Sequence, residues 1–113
     1  MFTKKHFESI TSVDVAYTTT LMLWLVYNDL TIFDQLLKEF ENAEEYLICD
    51  GLHRAINFIE VTHEERFAEA AEVHGDVDFN NPKNRDLHIE VSRSIFQDVT
   101  REIYKEQIKI MEG

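Results

Sequence analysis

The sequence is poor in the residues that crosslink a chain or break its helices. It contains one cysteine, one proline and three glycines among 113 residues. A lone cysteine excludes an intrachain disulfide, which suits a reducing cytoplasm, and we expect Cys49 to be a small buried apolar residue. The few glycines exclude the familiar glycine-rich loops that cradle phosphates. Scarce glycine and proline favour long helices.

Long apolar runs are also missing. The most apolar stretch, LMLWLVY at residues 21–27, is far shorter than the about 20 residues that a membrane-spanning helix needs. No small-residue cleavage site follows it, so we expect neither a signal peptide nor contact with a membrane. Eight Phe, four Tyr and one Trp are nevertheless enough for a hydrophobic core. We predict one folded domain, residues 1–113, with the apolar stretch in a buried helix.

Basic residues are scarce, and they are distributed unevenly. The chain has 22 acidic and 11 basic residues and a formal net charge of -11. Residues 1–28 and 79–113 each sum to zero, so residues 29–78, called the acidic segment below, carry the whole imbalance. Such a field repels nucleic acids and acidic membranes and attracts basic protein surfaces. The alternative is a solvated acidic surface that only aids solubility.

Helical periodicity predicts an all-α fold, a small bundle of about five helices with a long C-terminal helix. The first helix should cover 13–28. The second should begin at Thr31, with Thr31 as its cap, and extend to Leu47. The third, about 51–60, would be capped by Asp50. The fourth would begin at the capping-box pattern of Thr62 and Glu65 and end at Gly75.

The C-terminal part of the chain predicts a turn and one long helix. Asn80, Asn81 and Pro82 indicate the turn, and residues 77–79 are the one stretch with strand character. The final helix should cover about 84–110, with Glu102 and Glu106 on its solvent side. Its predicted buried face is Val91, Ile95, Val99, Ile103 and Ile110.

Few residue patterns suggest catalysis. Glu60 and His63 have the Glu-x-x-His spacing of bundle metal sites, and Asp50 and His53 form a looser version. Both pairs fall at predicted helix junctions, without the further inward carboxylates that such a site requires. No nucleophile, base and orienting group can be assembled from the sequence. We therefore predict no metal, no cofactor and no enzymatic activity.

One acidic pattern is unusual. Glu65, Glu69, Glu72 and Asp76 follow one another at intervals of four, three and four residues, which stacks like charges along one helix face. Each such pair costs a few tenths of a kcal/mol (about 0.2–0.5). Asp34, Lys38, Glu41 and Glu45 form a second, mostly acidic stripe on the preceding helix. A basic partner surface would relieve this repulsion.

Four stretches carry a resemblance to a known family. They are IFDQLLKEF at 32–40, LHRAI at 52–56, HGDVDF at 74–79 and IFQDVTREIYKE at 95–106. In order and separation they resemble the Ocr family of podophage antirestriction proteins. The first 30 residues have no counterpart in that family, and the charge-balanced final helix differs from the family's acidic one.

The resemblance implies a phage protein that acts in the host-cell cytoplasm as a helical homodimer and a DNA mimic. Its carboxylates would occupy the DNA groove of a host defence nuclease, most simply a type I restriction-modification enzyme, without binding nucleic acid itself. The candidate DNA-mimicking residues are Asp34, Glu41, Glu44, Glu45, Glu65, Glu69, Glu72, Asp76 and Asp78.

A second hypothesis is a protein-binding inhibitor that is not a mimic, of the anti-CRISPR or host-takeover type. It would act through an apolar surface, with LMLWLVY as the anchor and Trp24 at its centre, because exposed aromatic residues dominate many interfaces.

Overall fold

Four α-helices form the body of the protein, whose structure is a computed structural model describing residues 4–112. In chain order they are α1 (Val13–Tyr27), α2 (Thr31–Asn42), α3 (Tyr46–His74) and α4 (Arg85–Glu112). Short 3-10 helices occupy Lys4–Phe7 and Pro82–Asn84. The all-α prediction and the long C-terminal helix are confirmed. Residues 4–112 contain no strand; residues 77 and 78 have no regular structure, and a turn begins at Phe79.

The predicted number of helices is wrong because the third and fourth are one continuous helix. Asp50 and Thr62 both lie inside α3 and cap nothing. The Thr62 hydroxyl donates instead to the Phe58 carbonyl oxygen at 2.7 Å, a bond that lets threonine sit inside a helix without a free polar group. Gly75 ends the helix as predicted, with φ of 76° and its N–H donating to the Ala71 carbonyl at 2.8 Å.

Helix α2 begins at Thr31 as predicted, but Thr31 is not its cap. The Asp29 carboxylate accepts hydrogen bonds from the Thr31 N–H and hydroxyl, at 2.9 and 2.6 Å. The helix ends at Asn42, before Leu47, because the chain turns back on itself there. The Glu44 N–H donates to Glu41 and the Glu45 N–H to Phe40, the paired bonds of a Schellman motif.

The helix directions follow from the contacts between them. Helices α1 and α3 run parallel, since Gly51 abuts Ala16 while the Trp24 ring lies 6.0 Å from that of His63. A Cβ at Gly51 would lie 2.4 Å from the Ala16 Cβ, so only glycine permits this close approach. Helix α4 runs antiparallel to both, with Phe96 against Trp24 and Lys109 near Asp14.

The core contains the residues that periodicity indicated, with two exceptions on α4. Val91, Ile95, Val99 and Ile103 are buried, as are Cys49 and Trp24. Ile110 was predicted to be buried but is 37% exposed, and Glu106 was predicted on the wet side but is only 5% exposed. At 3.6 residues per turn, the position that continues the seam after 99 and 103 is 106. The glutamate therefore occupies a core position.

Burial of the apolar stretch removes the anchor of the second hypothesis. Leu21, Leu23 and Trp24 all face the interior, whereas Met22 and Val26 are exposed. Trp24 therefore cannot serve as a surface hot spot. Among residues 4–112, no helix has the length and apolar character required to cross a bilayer.

Candidate functional site

All nine candidate acidic residues are exposed. Asp34 and Glu41 lie on α2, and Glu44 and Glu45 lie in the turn that joins α2 to α3. The remaining five residues lie on the second half of α3 and in the segment that follows it: Glu65, Glu69, Glu72, Asp76 and Asp78.

The candidates form two groups on different flanks of α3. Glu41 lies beside His53, with 3.7 Å between its Oε1 and the imidazole Nε2. His53 and Glu65 are twelve residues apart on α3, a rotation of about 120° around the helix axis at about 100° per residue. The acids are thus spread along and around the about 42 Å of α3 and do not lie on a single face.

The ladder from Glu65 to Asp76 has one basic partner close to it. Arg66 binds Asp98 of α4 through two hydrogen bonds, of 2.6 Å from Nε and 2.7 Å from Nη2, and its Nη1 lies 3.1 Å from Glu69. The bond to Asp98 raises the pKa of Arg66 and lowers the pKa of Asp98. Glu65 borders an open groove that also contains Arg101 and Lys105.

Two of the three bases of the acidic segment are paired with carboxylates of other helices. Of Lys38, Arg54 and Arg66, the two arginines pair with carboxylates of α1 and α4. Among residues 4–112, ion pairs involve just two of the nine candidates, Glu41 and Glu69. Both arginines therefore bind mainly carboxylates outside the acidic segment and neutralise few of its own.

Glu44 has an unusual backbone conformation. Its φ is 59°, and it occupies the Schellman position at which glycine is usual. The left-handed conformation costs a residue with a Cβ about 1–2 kcal/mol. The turn thus presents a carboxylate where glycine would be more stable. No residue pattern indicated this conformation, because the turn was predicted to be helical.

A cluster of charged residues that the sequence analysis missed joins α1, α3 and α4. The Arg54 guanidinium lies over the Tyr17 ring, 4.3 Å from its centre, and 3.0 Å from Asp14. The Tyr17 hydroxyl donates to Glu102 at 3.2 Å, and burial together with this carboxylate raises the pKa of Tyr17. We call this group the polar cluster: Asp14, Tyr17, Arg54, Glu102, Glu106 and Lys109.

Glu106 is the buried carboxylate of the polar cluster. Its Oε1 lies 4.0 Å from the Arg54 guanidinium, and its Oε2 has no hydrogen-bond partner among residues 4–112. One signal in the sequence could have located it, because Glu106 continues the apolar spacing of Val99 and Ile103. A carboxylate at such a position needs a cation nearby, and Arg54 supplies it.

Cys49 and His63, two further side chains with reactive groups, are packed against their neighbours. Burial raises the pKa of the Cys49 thiol, helped by Glu41 and Asp50, which disfavours a nucleophilic thiolate. Burial lowers the pKa of His63, whose ring packs against Trp24 and Phe67. Within residues 4–112, no three His, Cys, Asp or Glu side chains lie close enough to hold a metal ion.

The charge density of the surface can be compared with that of DNA. Eleven net charges along a longest dimension of 45 Å amount to about one per 4 Å, against about one per 1.7 Å in duplex DNA. One chain therefore offers fewer than half the charges of the same length of duplex.

No protein family matches this chain, and comparison with curated proteins and with solved structures reveals no similar protein.

Proposed function

We propose that this protein is a DNA-mimic inhibitor that occupies the DNA-binding groove of a host defence nuclease. The observation that carries the proposal is the arrangement of charge. The acidic segment holds the whole net charge of -11, and its two arginines are paired with carboxylates of α1 and α4. Its carboxylates are thus left facing solvent, available to cations of another protein.

The mechanism is competition without chemistry. Lysine and arginine side chains that normally bind phosphates would bind the outward carboxylates of α2 and α3. Such contacts need no base sequence, since phosphate contacts position a DNA-binding protein without reading bases. One inhibitor could therefore act on enzymes with different recognition sequences. A type I restriction-modification enzyme in the host cytoplasm is the target that the family resemblance favours, with a homodimer as the acting form.

The strained turn supports a role for its carboxylate. Glu44 is held in a conformation that disfavours any residue with a Cβ. Glycine at this position would improve stability and remove a negative charge. A purely structural turn gives no reason for glutamate here, whereas a surface that must bind cations does.

The test is a DNA-protection assay with a purified type I restriction enzyme at low and high salt. The intact protein should protect DNA in proportion to its concentration, with potency that falls as salt rises. The variant Glu65→Gln/Glu69→Gln/Glu72→Gln should lose at least about tenfold in potency, if each lost ion pair contributes about 0.5–1 kcal/mol.

The matched control removes three exposed carboxylates from α4 by Asp86→Asn/Glu90→Gln/Glu112→Gln. This variant removes the same number of negative charges as the first but leaves Glu65, Glu69 and Glu72 in place. It should therefore keep nearly full potency. Equal losses in the two variants would mean that total charge alone matters. Absence of protection at every ratio of protein to enzyme would refute inhibition of that enzyme.

Substitutions at position 44 distinguish effects on the free energy of unfolding from effects on inhibition. Glu44→Gly should raise the free energy of unfolding by about 1 kcal/mol while weakening inhibition. Glu44→Gln keeps the strain and removes the charge, so it should weaken inhibition equally without a gain in stability. If both variants inhibit like the parent protein, the turn does not contact the nuclease.

A further inference from the structure

The first turns of α3 carry an exposed tyrosine beside an exposed carboxylate. Tyr46 is 63% exposed, and Asp50, which follows it by four residues, is exposed as well. Residues four apart on a helix lie one above the other on the same face. Leu47, 50% exposed, lies three residues before Asp50 and borders the carboxylate on its other side. The ring, the carboxylate and an apolar side chain therefore share one surface that faces solvent.

Within residues 4–112, Asp50 has no basic partner. Arg54 lies one turn after it on α3, but the Arg54 guanidinium binds Asp14 of α1 at 3.0 Å instead. In the described part of the chain, neither Asp50 nor Tyr46 takes part in a side-chain hydrogen bond or an ion pair. Both side chains are thus available to another molecule.

The polar cluster shows how such a pair holds a guanidinium. Asp14 and Tyr17 lie three residues apart on α1, so they share one helix face. The Arg54 guanidinium lies 4.3 Å from the centre of the Tyr17 ring and 3.0 Å from the Asp14 carboxylate. One helix face therefore supplies both the ring under the guanidinium and the carboxylate that accepts its hydrogen bond. Tyr46 and Asp50 present the same two groups on α3.

Arginine fits this pair better than lysine. Its planar guanidinium can lie on an aromatic ring while its N–H groups donate to a carboxylate, whereas the ammonium of lysine is compact and more strongly hydrated. The neighbouring charges favour a cation as well, because the exposed Glu41, Glu44 and Glu45 lie at the end of α2 and in the turn before α3. The chemistry of the pair therefore indicates an arginine on a basic partner surface.

We propose that Tyr46 and Asp50 form a binding site for one arginine side chain of the partner. The guanidinium lies on the Tyr46 ring and donates to the Asp50 carboxylate, and Leu47 contacts the aliphatic stem of the same arginine. As a part of the inhibitor the site rests on the proposed function, since this arginine would be one that normally binds a DNA phosphate. A carboxylate alone imitates a phosphate, but the ring adds a preference for arginine over lysine.

The experiment is a titration of the isotope-labelled full chain with an octa-arginine peptide and, separately, with an octalysine peptide, followed by nuclear magnetic resonance. We expect the octa-arginine peptide to bind more tightly and to shift the signals of Tyr46 and Asp50. Tyr46→Ala/Asp50→Asn should reduce the ratio of the two dissociation constants about two- to fivefold, the contribution of a cation on an exposed ring. Tyr46→Phe should keep the ratio, because the ring remains.

The matched control is Tyr104→Ala/Glu60→Gln. It removes a similarly exposed tyrosine, 67% exposed, and one exposed carboxylate, but the two come from different helices and no carboxylate lies three or four residues from Tyr104. The ratio of dissociation constants should therefore equal that of the parent protein. Circular dichroism verifies that both double variants keep the helical fold, as expected for substitutions of exposed side chains.

The site is refuted if Tyr46→Ala/Asp50→Asn leaves the ratio unchanged, or if the control variant lowers it equally. The DNA-protection assay distinguishes this inference from the proposed function. If the parent protein protects DNA and Tyr46→Ala/Asp50→Asn protects it equally well, the arginine site is wrong and the mimic stands. If the ratio depends on Tyr46 and Asp50 but the parent protein protects no DNA, inhibition of that nuclease is wrong and the arginine site stands.

Discussion

The two ends of the interface between α1, α3 and α4 are held together by different forces. One end contains the polar cluster, with three carboxylates and two bases around the Tyr17 ring. The other end contains what we call the ring cluster: Trp24, His63, Phe67, Phe79, His88 and Phe96. Apolar burial dominates there, and within residues 4–112 none of these side chains takes part in an ion pair.

The difference shows how the helices of a chain rich in acidic residues can pack together. At the polar end Arg54 and Lys109 are paired with carboxylates of α1 and α4, so they do not neutralise the acidic segment. The ring end needs no charge at all, so the carboxylates beside it on α3 remain outside. With either kind of packing, the surface of the protein remains acidic. The two ends should nevertheless differ in sensitivity to truncation and to pH, and four substitutions test this.

The largest effect is expected at the ring end. Trp24→Ala removes a side chain that is 3% exposed and should lower the free energy of unfolding by about 3–5 kcal/mol. Urea denaturation followed by circular dichroism measures this, because the substitution also removes the one tryptophan. Val26→Ala, at a position 72% exposed on the same helix, is the control and should change stability little.

Arg54→Met should have the next largest effect, at the polar end. It removes the cation nearest the buried Glu106 carboxylate and should cost about 1–3 kcal/mol. The loss is smaller than for a fully buried pair because the Arg54 side chain is 44% exposed. Adding Glu106→Gln should recover part of the loss in denaturation experiments. If the double variant is no more stable than Arg54→Met, the Glu106 charge does not depend on Arg54.

The polar end should also lose stability in alkali. Burial and Glu102 raise the pKa of Tyr17 above its ordinary value of 10.0, so the unfolded chain releases this proton first. The contribution is present below pH 10.0 and is lost as the pH rises above it. Tyr17→Phe should flatten thermal stability against pH in this range. Tyr46→Phe, at an exposed tyrosine, should keep the slope of the parent protein.

The smallest effect is a loss of stability at the ring end in mild acid. Burial lowers the pKa of His63 below its ordinary value of 6.5, so the unfolded chain binds a proton first as the pH falls. Stability is complete above pH 6.5 and decreases below it. His63→Phe should remove part of this slope, whereas His53→Gln, at an imidazole 60% exposed, should not. An unchanged slope in His63→Phe would mean that other groups govern it.

Much of the fold could be predicted, because helix periodicity is a local property. The bounds of α1, the start of α2, the end of α3 at Gly75 and the seam of α4 through Val99 all follow from residue spacing. The division of α3 was wrong for a local reason as well. A threonine three residues before a glutamate can cap a helix, but it can also bond backward to a carbonyl inside one.

The candidate site was predictable only as a set of exposed acids. That Glu69 shares Arg66 with Asp98 depends on residues 32 positions apart, which the sequence cannot bring together. The burial of Glu106 depends on the packing of α1, α3 and α4 against one another, which residue spacing does not reveal. The left-handed conformation of Glu44 belongs to the turn after α2, and that turn was predicted to be helical.

By itself the sequence determined the helical character, the core periodicity and the confinement of all net charge to the acidic segment, since each is a property of order and composition. The tertiary structure decided which charges remain available to a partner. Ion pairs form between residues far apart in the chain, such as Arg54 with Asp14, 40 positions away. The packing of α3 against α1 and α4 paired two arginines with carboxylates of those helices, and the carboxylates of the acidic segment remained facing solvent.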